Sequence, residues 1–348
     1  MVDQLNGWAS DYEDKLYRTA DGGASWYLVP VPPEAGINVV GSAFLDAAHA
    51  WLSYYDADGH PALLRTTDGG LSWTPLTGIG LDEAGGGPSF RFTSPEQGLA
   101  EVTGAGAGNL YVQEYETSDG GATFTVVPLV GPTPEPDLPE GTIHLCSLCL
   151  DSFYYDPYRA IIVEGDMGTM ESRGGVHLKQ TTDLGQTWTE MVLPLPAGYE
   201  DALAGGLQPV FPGGVQHGFL PVKLMRYNPD GTAAYDAIAL YESIDAGQTW
   251  TLTPNVLQTS NPATLELVDD LDLLTLCGAA ICASHDAALT WETVTPELDL
   301  ASTDTRYVLD MTFVNPLSGW IILVEDGISQ LYRTDDGGAT WMLLGSGA

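Results

Sequence analysis

Carboxylates dominate the chemistry this chain could do. It carries 47 Asp and Glu against 11 Lys and Arg, a formal net charge of −36. Two carboxylates flanking a glycosidic bond could hydrolyse it. Several converging carboxylate oxygens could hold a hard cation. With this many acids, a candidate catalytic pair means nothing until a fold brings two of them together. The turn Asp56-Ala57-Asp58-Gly59 resembles the start of a calcium loop, so Asp56 and Asp58 are the candidate metal ligands. It lacks the later ligands and the Glu of an EF-hand, and a simple Asp-Gly hairpin turn is the better reading.

Sulfur is the second chemistry. Cys146 and Cys149 form a C-x-x-C, and Cys277 and Cys282 flank Gly278-Ala279-Ala280-Ile281. An even count in an acidic, loop-rich β protein favours two local disulfides and an extracytoplasmic setting. A structural zinc needs four converging ligands; His144 with Cys146 and Cys149 supplies three. Free thiols are the remaining alternative. The six His (His49, His60, His144, His177, His217 and His285) are scattered and read as turn or surface residues. No Ser-His-Asp arrangement and no phosphate loop can be picked out.

What must position these groups is a repeat. The pattern [Ser/Thr]-x-Asp-x-Gly-x-[Ser/Thr]-aromatic occurs seven times: Thr19 to Trp26, Thr66 to Trp73, Thr117 to Phe124, Thr181 to Trp188, Ser243 to Trp250, Ser284 to Trp291 and Thr334 to Trp341. Each copy reads as a tight hairpin turn. Its Asp (Asp21, Asp68, Asp119, Asp183, Asp245, Asp286, Asp336) is expected to accept backbone N–H bonds one to three residues on. The Gly two positions later is expected at positive φ. The second hydroxyl satisfies another turn group, and the aromatic opens the next strand and fills space between sheets. The sixth copy has Ala288 in place of Gly and should be the loosest. The Asp lie 41 to 64 residues apart, a spacing that suits one four-stranded propeller blade.

The octapeptide resembles the Asp-box, or BNR, repeat of sialidases, sortilin-type receptors, xyloglucanases and the photosystem II stability and assembly factors. The assembly-factor group is the nearest in look, through Gly7-Trp8, Ala50-Trp51 and Gly319-Trp320, each followed by Leu16-Tyr17-Arg18-Thr19, Leu64-Arg65-Thr66 or Leu331-Tyr332-Arg333-Thr334. The resemblance implies an all-β, seven-bladed β-propeller of four-stranded antiparallel blades. The boxes would join third to fourth strands, on the face opposite the usual binding face. Blades are expected near 1-30, 31-77, 78-130, 131-195, 196-254, 255-296 and 297-348, as one domain spanning 1-348. The first lacks an inner strand, from which an upstream segment with a signal or anchor is expected.

Partners follow from charge and from what the repeat leaves over. An acidic surface repels nucleic acid and anionic lipid and attracts Ca²⁺ or a basic partner. No other cofactor is called for. No apolar run is long enough for a membrane span. A sialidase would need three converging Arg, yet Arg18, Arg65 and Arg333 hold a repeat position, and Arg91, Arg159, Arg173, Arg226 and Arg306 lie on dissimilar elements. All nine Trp have a repeat-based place, which leaves Tyr for stacking on a glycan. The expected function is therefore a non-catalytic extracytoplasmic binding or assembly scaffold. It would engage a protein or a glycan through the face opposite the boxes. The alternatives are a glycoside hydrolase of sialidase or xyloglucanase type and a Ca²⁺-binding cell-surface module. Insertions concentrate in blades three to five. There Met167, Met170 and Arg173 on one hairpin tip, and Arg226 and Tyr227 on the next, are the candidate binding residues.

Overall fold

The computed structural model describes residues 1–10, 15–32, 39–81, 88–106, 109–131, 142–146, 151–156, 159–164, 174–207, 209–212, 216–227, 233–258 and 264–347. Among them there is no α-helix, and the strands fall into seven antiparallel meanders. Blade one has three strands, β1 (Gly7–Ser10), β2 (Leu16–Thr19) and β3 (Tyr27–Val29). Blade two has β4 (Val39–Phe44), β5 (Ala50–Tyr55), β6 (Pro61–Thr66) and β7 (Thr74–Leu76). Blade three has β8 (Ser89–Phe92), β9 (Gly98–Gly106), β10 (Asn109–Thr117) and β11 (Thr125–Val126), joined by β12 (Thr142–Cys146). Blade four has β13 (Asp151–Asp156), β14 (Arg159–Glu164), β15 (Val176–Thr181) and β16 (Thr189–Leu193). Blade five has β17 (Leu203–Gly206), β18 (Gly218–Tyr227), β19 (Ala233–Ser243) and β20 (Thr251–Leu257). Blade six has β21 (Glu266–Leu267), β22 (Leu273–Cys277), β23 (Ala280–Ser284) and β24 (Glu292–Val294). Blade seven has β25 (Arg306–Phe313), β26 (Gly319–Glu325), β27 (Ile328–Thr334) and β28 (Met342–Gly347). The fold class is the seven-bladed β-propeller that the repeat implied.

One assignment differs from the sequence reading. The segment from Thr142 to Cys146 was expected to open blade four, but it pairs with β10 of blade three, Tyr111 opposite His144 and Gln113 opposite Thr142. The cause lies in the fourth strand, β11, which is only two residues long. Val127 N still donates to Glu114 O at 2.9 Å, but Leu129 N, the next donor on that side, turns back to Val127 O at 2.7 Å and the ladder ends. The far half of the β10 edge would be left unpaired, and β12 supplies its partners.

Two compact units can be separated: Met1–Leu148 with Asp156–Ala160 and Thr181–Trp188, and Cys149–Tyr155 with Ile161–Gln180 and Thr189–Ala348. In the first, one core layer joins Trp8, Leu16 and Val29 of blade one to Leu52, Tyr54 and Leu64 of blade two. The next joins Trp51 and Leu63 to Phe92, Val102 and Tyr115 of blade three. In the second unit the same kind of layer lies between blades four and five around Tyr241 and Trp250, between five and six around Phe219 and Leu273, and between six and seven around Ile281 and Phe313. Middle strands therefore bury both faces. In β5 every residue but the last is buried, whereas the edge strand β4 is only half-covered. This explains why Ala50 to Tyr54 shows no alternation of apolar and polar residues, Ser53 being its single polar side chain.

The repeat Trp and Arg stitch blades together sideways. Trp51 stacks on Phe92 with centroids 3.6 Å apart, and its Nε1 donates to Gly120 O at 2.9 Å. Arg65 covers the other face of that ring and donates to Asp119 O and Pro95 O at 3.2 and 3.1 Å. Arg18, Trp8 and Phe44 repeat the stack between blades one and two. These Arg are structural, as the repeat position suggested.

Candidate binding face

In a meander the turns alternate between the two ends of the sheet. Gly98 pairs with Thr117 and Gly319 with Thr334. The first and third turns of a blade thus share one end, and the second-to-third-strand hairpin lies at the other. Each octapeptide occupies the last turn of its blade, the third in blades two to seven and the second in three-stranded blade one.

Each octapeptide is wired by the same four bonds. In the second copy, Thr66 Oγ1 donates to Asp68 Oδ1 at 2.9 Å and accepts from Gly70 N at 2.8 Å. Ser72 N donates to Asp68 Oδ1 at 2.9 Å, and Ser72 Oγ donates to Oδ2 at 2.5 Å. The equivalent bonds recur at Asp21, Asp119, Asp183, Asp245, Asp286 and Asp336. The carboxylate accepts most strongly from the N–H four residues on, one beyond the expected range, and more weakly from the N–H three residues on. The loop can return that far because two successive residues, not one, have positive φ: Gly69 and Gly70 at 74° and 84°. At Leu184, Ala246 and Ala287 the first of the pair is not Gly, and in the sixth copy neither is, with Ala288 at 65°. That copy nevertheless keeps all four bonds.

These bonds hold the carboxylates ionised. The Ser25 hydroxyl, then the Ser25 N–H, pull Asp21 down to about 2, and Ser72 does the same for Asp68. In Asp119 and Asp245 partial burial pushes upward, yet the Thr123 and Thr249 bonds still hold them below the ordinary carboxylate range. Every one of the seven has its oxygens engaged by its own loop, so they build turns rather than sites.

A second repeated turn escaped the sequence reading. At the same end, Asp3, Asp46, Ser94, Asp269 and Asn315 each accept the N–H groups two and three residues on, as Asp46 does from Ala48 and His49 at 2.7 and 2.8 Å. The carbonyl inside each such turn takes the N–H of the first positive-φ residue, as Ala48 O does from Gly69 N at 2.9 Å. The signal was present as an Asx or Ser residue four ahead of the second strand, a spacing shared by Asp3-Gly7, Asp46-Ala50, Ser94-Gly98 and Asn315-Gly319.

At the other end lie the predicted site residues that the described structure includes. Asp56 Oδ1 accepts from Asp58 N and His60 N at 3.0 and 2.9 Å, Gly59 N donates to Asp56 O, and Gly59 sits at φ 87°. That is the hairpin-turn geometry. Ligand atoms of Asp56, Asp58 and His60 lie within 4.8 Å of one another, but the nearer Asp56 oxygen already serves two N–H groups. Arg226 lies over the Tyr199 ring with 4.2 Å to its centroid, donates to Gly198 O and stands 4.0 Å from Asp201. Gln258 Nε2 donates to the Tyr199 hydroxyl at 2.5 Å. Tyr199 and Gln258 carried no sequence signal. Tyr227 closes β18, and its side chain lies outside the described residues, as do Met167, Met170, Arg173, Cys149 and the side chain of Cys146. Cys277 and Cys282 form a disulfide across the β22–β23 hairpin, Cα atoms 5.8 Å apart.

The fold does bring two carboxylates together. Glu101 on β9 and Glu114 on β10 are register partners. Glu114 is 3% exposed, and its Oε2 has no hydrogen-bond partner. Burial, then the charge of Glu101, push its acid up to about 8 against the pull of Arg91. Burial also raises Glu101. Glu266, largely buried, is pushed to about 7 although Phe313 N donates to it. A buried carboxyl that holds its proton at neutral pH is a poor metal ligand and no longer a charge.

No protein-family model matches the chain, and no curated protein matches its sequence. Solved structures do match. A structure of YCF48 bound to a D1 peptide has 19% identity and a TM-score of 0.51, over 96% of this chain and 91% of its own. YCF48 from Cyanidioschyzon merolae has 16% identity and a TM-score of 0.51, over 97% and 92%. The GH74 enzyme of Niastella koreensis has 13% identity and a TM-score of 0.31, over 98% and 70%. At these identities the likeness to the two YCF48 structures is one of fold.

Proposed function

We propose that this propeller is a non-catalytic, extracytoplasmic binding or assembly scaffold that engages a protein through the end of its blades opposite the octapeptide turns, at the β18–β19 hairpin of blade five. The observation that carries this is the saturation of all seven repeat turns. Their polar groups are spent on the fold, which leaves the long second-to-third-strand hairpins free to vary, such as β18–β19 with its Arg226–Tyr199 corner. A net charge of −36 favours a basic partner. The peptide held by the YCF48 of like fold supports a peptide ligand here. The Cys277–Cys282 disulfide supports an oxidising compartment. The test is fluorescence anisotropy with an unstructured Lys/Arg-rich peptide, mapped by hydrogen exchange. Protection of the β18–β19 hairpin that fades as salt rises is the expected result. Hydrolysis of any aryl glycoside in a panel, or protection confined to the octapeptide end, overturns it.

A further inference from the structure

The octapeptide end of blades five to seven carries an apolar surface that the fold does not use. Ile244 precedes the fifth turn Asp, Leu271 lies in the capped first turn of blade six, and Leu289 lies in the sixth octapeptide. They are 75%, 54% and 52% exposed, and Leu317, at the place in blade seven that Leu271 holds in blade six, is 58% exposed. Single exposed apolar residues are ordinary, but several on one end of consecutive blades are not. Close polar contacts tie the stretch together. His217 stands 2.8 Å from Glu242, two residues before Ile244, and 3.9 Å from Asp270, next to Leu271. Ala287 N donates to Leu271 O, and Asn255 Nδ2 donates to Leu289 O.

We infer that this surface docks a basic amphipathic peptide segment of a partner protein, its apolar face on Ile244, Leu271 and Leu289 and its cations on the acidic rim. That rim holds Glu242, Asp270, Asp272 and Glu292, and the imidazoles of His217 and His285 already face those acids. Charge selects the occupant. A second copy would bring its own −36 to the contact, and like charges repel. A Lys-rich apolar segment is complementary in both respects. This surface lies at the opposite end from the one proposed above and does not depend on it.

The probe is a fluorescein-labelled amphipathic Lys/Leu peptide, titrated against the full chain, with its Glu/Leu counterpart as control. Expected are binding that weakens as salt rises, no binding of the Glu/Leu peptide, and a loss of roughly 10-fold or more in Leu271→Ser/Leu289→Ser. The melting temperature should hold in that variant, because both side chains are exposed, and Asp56→Asn/Asp58→Asn at the other end should bind as the parent does. Equal binding by parent and double variant, or none by the parent, overturns the inference. So does sedimentation that shows the parent as a dimer and the double variant as a monomer, which would make the patch a self-interface.

Discussion

Replacing Glu114 by Gln should make the protein more stable at alkaline pH than at acid pH, relative to the parent. The side chain is 3% exposed, faces Glu101 across the β9–β10 ladder, and has its acid pushed from the ordinary 4.5 to about 8, by burial and then by Glu101. The unfolded chain ionises near 4.5 while the folded chain keeps its proton, so the folded state binds more protons between those values. Stability contributed by the protonated form is complete below 4.5 and is lost as pH rises through 8. The slope limit is about 1.4 kcal/mol per pH unit, a ceiling of about 5 kcal/mol across the window. Relaxation and water entry reduce this, and about 2 kcal/mol is the expected observable. Gln keeps the shape without the proton. Urea unfolding of parent and Glu114→Gln at pH 5 and pH 8.5 should therefore show near-equal stabilities at the lower pH and a gap favouring Gln at the higher. The difference cancels Glu266, which shifts the parent in the same direction. A gap that stays constant with pH, or that favours the parent at pH 8.5, refutes the reasoning.

Three further outcomes follow from the turns and the disulfide. Gly69 lies at φ 74°, and a Cβ there would collide with Arg18 Nη1 and come 3.0 Å from Ala47 O. Gly69→Ala should cost about 2 kcal/mol and clearly less in an Arg18→Ala background, as a double-mutant cycle by thermal melting would show; strict additivity would refute the side-chain clash. Asp68, drawn down to about 2, gives stability that is present above the ordinary carboxylate range and lost as pH falls through 2. An NMR titration should place its carboxyl midpoint near 2, and a midpoint near 4 would mean the Ser72 bonds are absent in solution. Opening the Cys277–Cys282 bridge, which spans a sequence separation of 5, should cost about 2 kcal/mol, read as a lower melting temperature in Cys277→Ser/Cys282→Ser; an unchanged melt refutes it.

The sequence alone determined the parts whose physics is local. An octapeptide closes on itself through groups two to four residues apart, so its Asp, Gly and hydroxyls could be read as a turn wherever they recurred. Seven turns at blade spacing then implied seven sheets. The repeat Trp and Arg were legible as structural because they kept one place relative to those turns. Only the tertiary structure showed what that place is for. Arg65 and Trp51 reach the third blade's octapeptide because neighbouring sheets pack face to face. The same contact brings Arg18 against Gly69 and Arg65 against Gly120, the first positive-φ residues of the second and third octapeptides. Glu101 and Glu114 were two acids among 47 until register and burial set them side by side. The pairing of Thr142 to Cys146 with β10 likewise depended on an edge left open beyond Val127. Hydrogen bonds within a turn are written in adjacent residues, whereas burial, register and edge pairing belong to segments that meet only when the chain has folded.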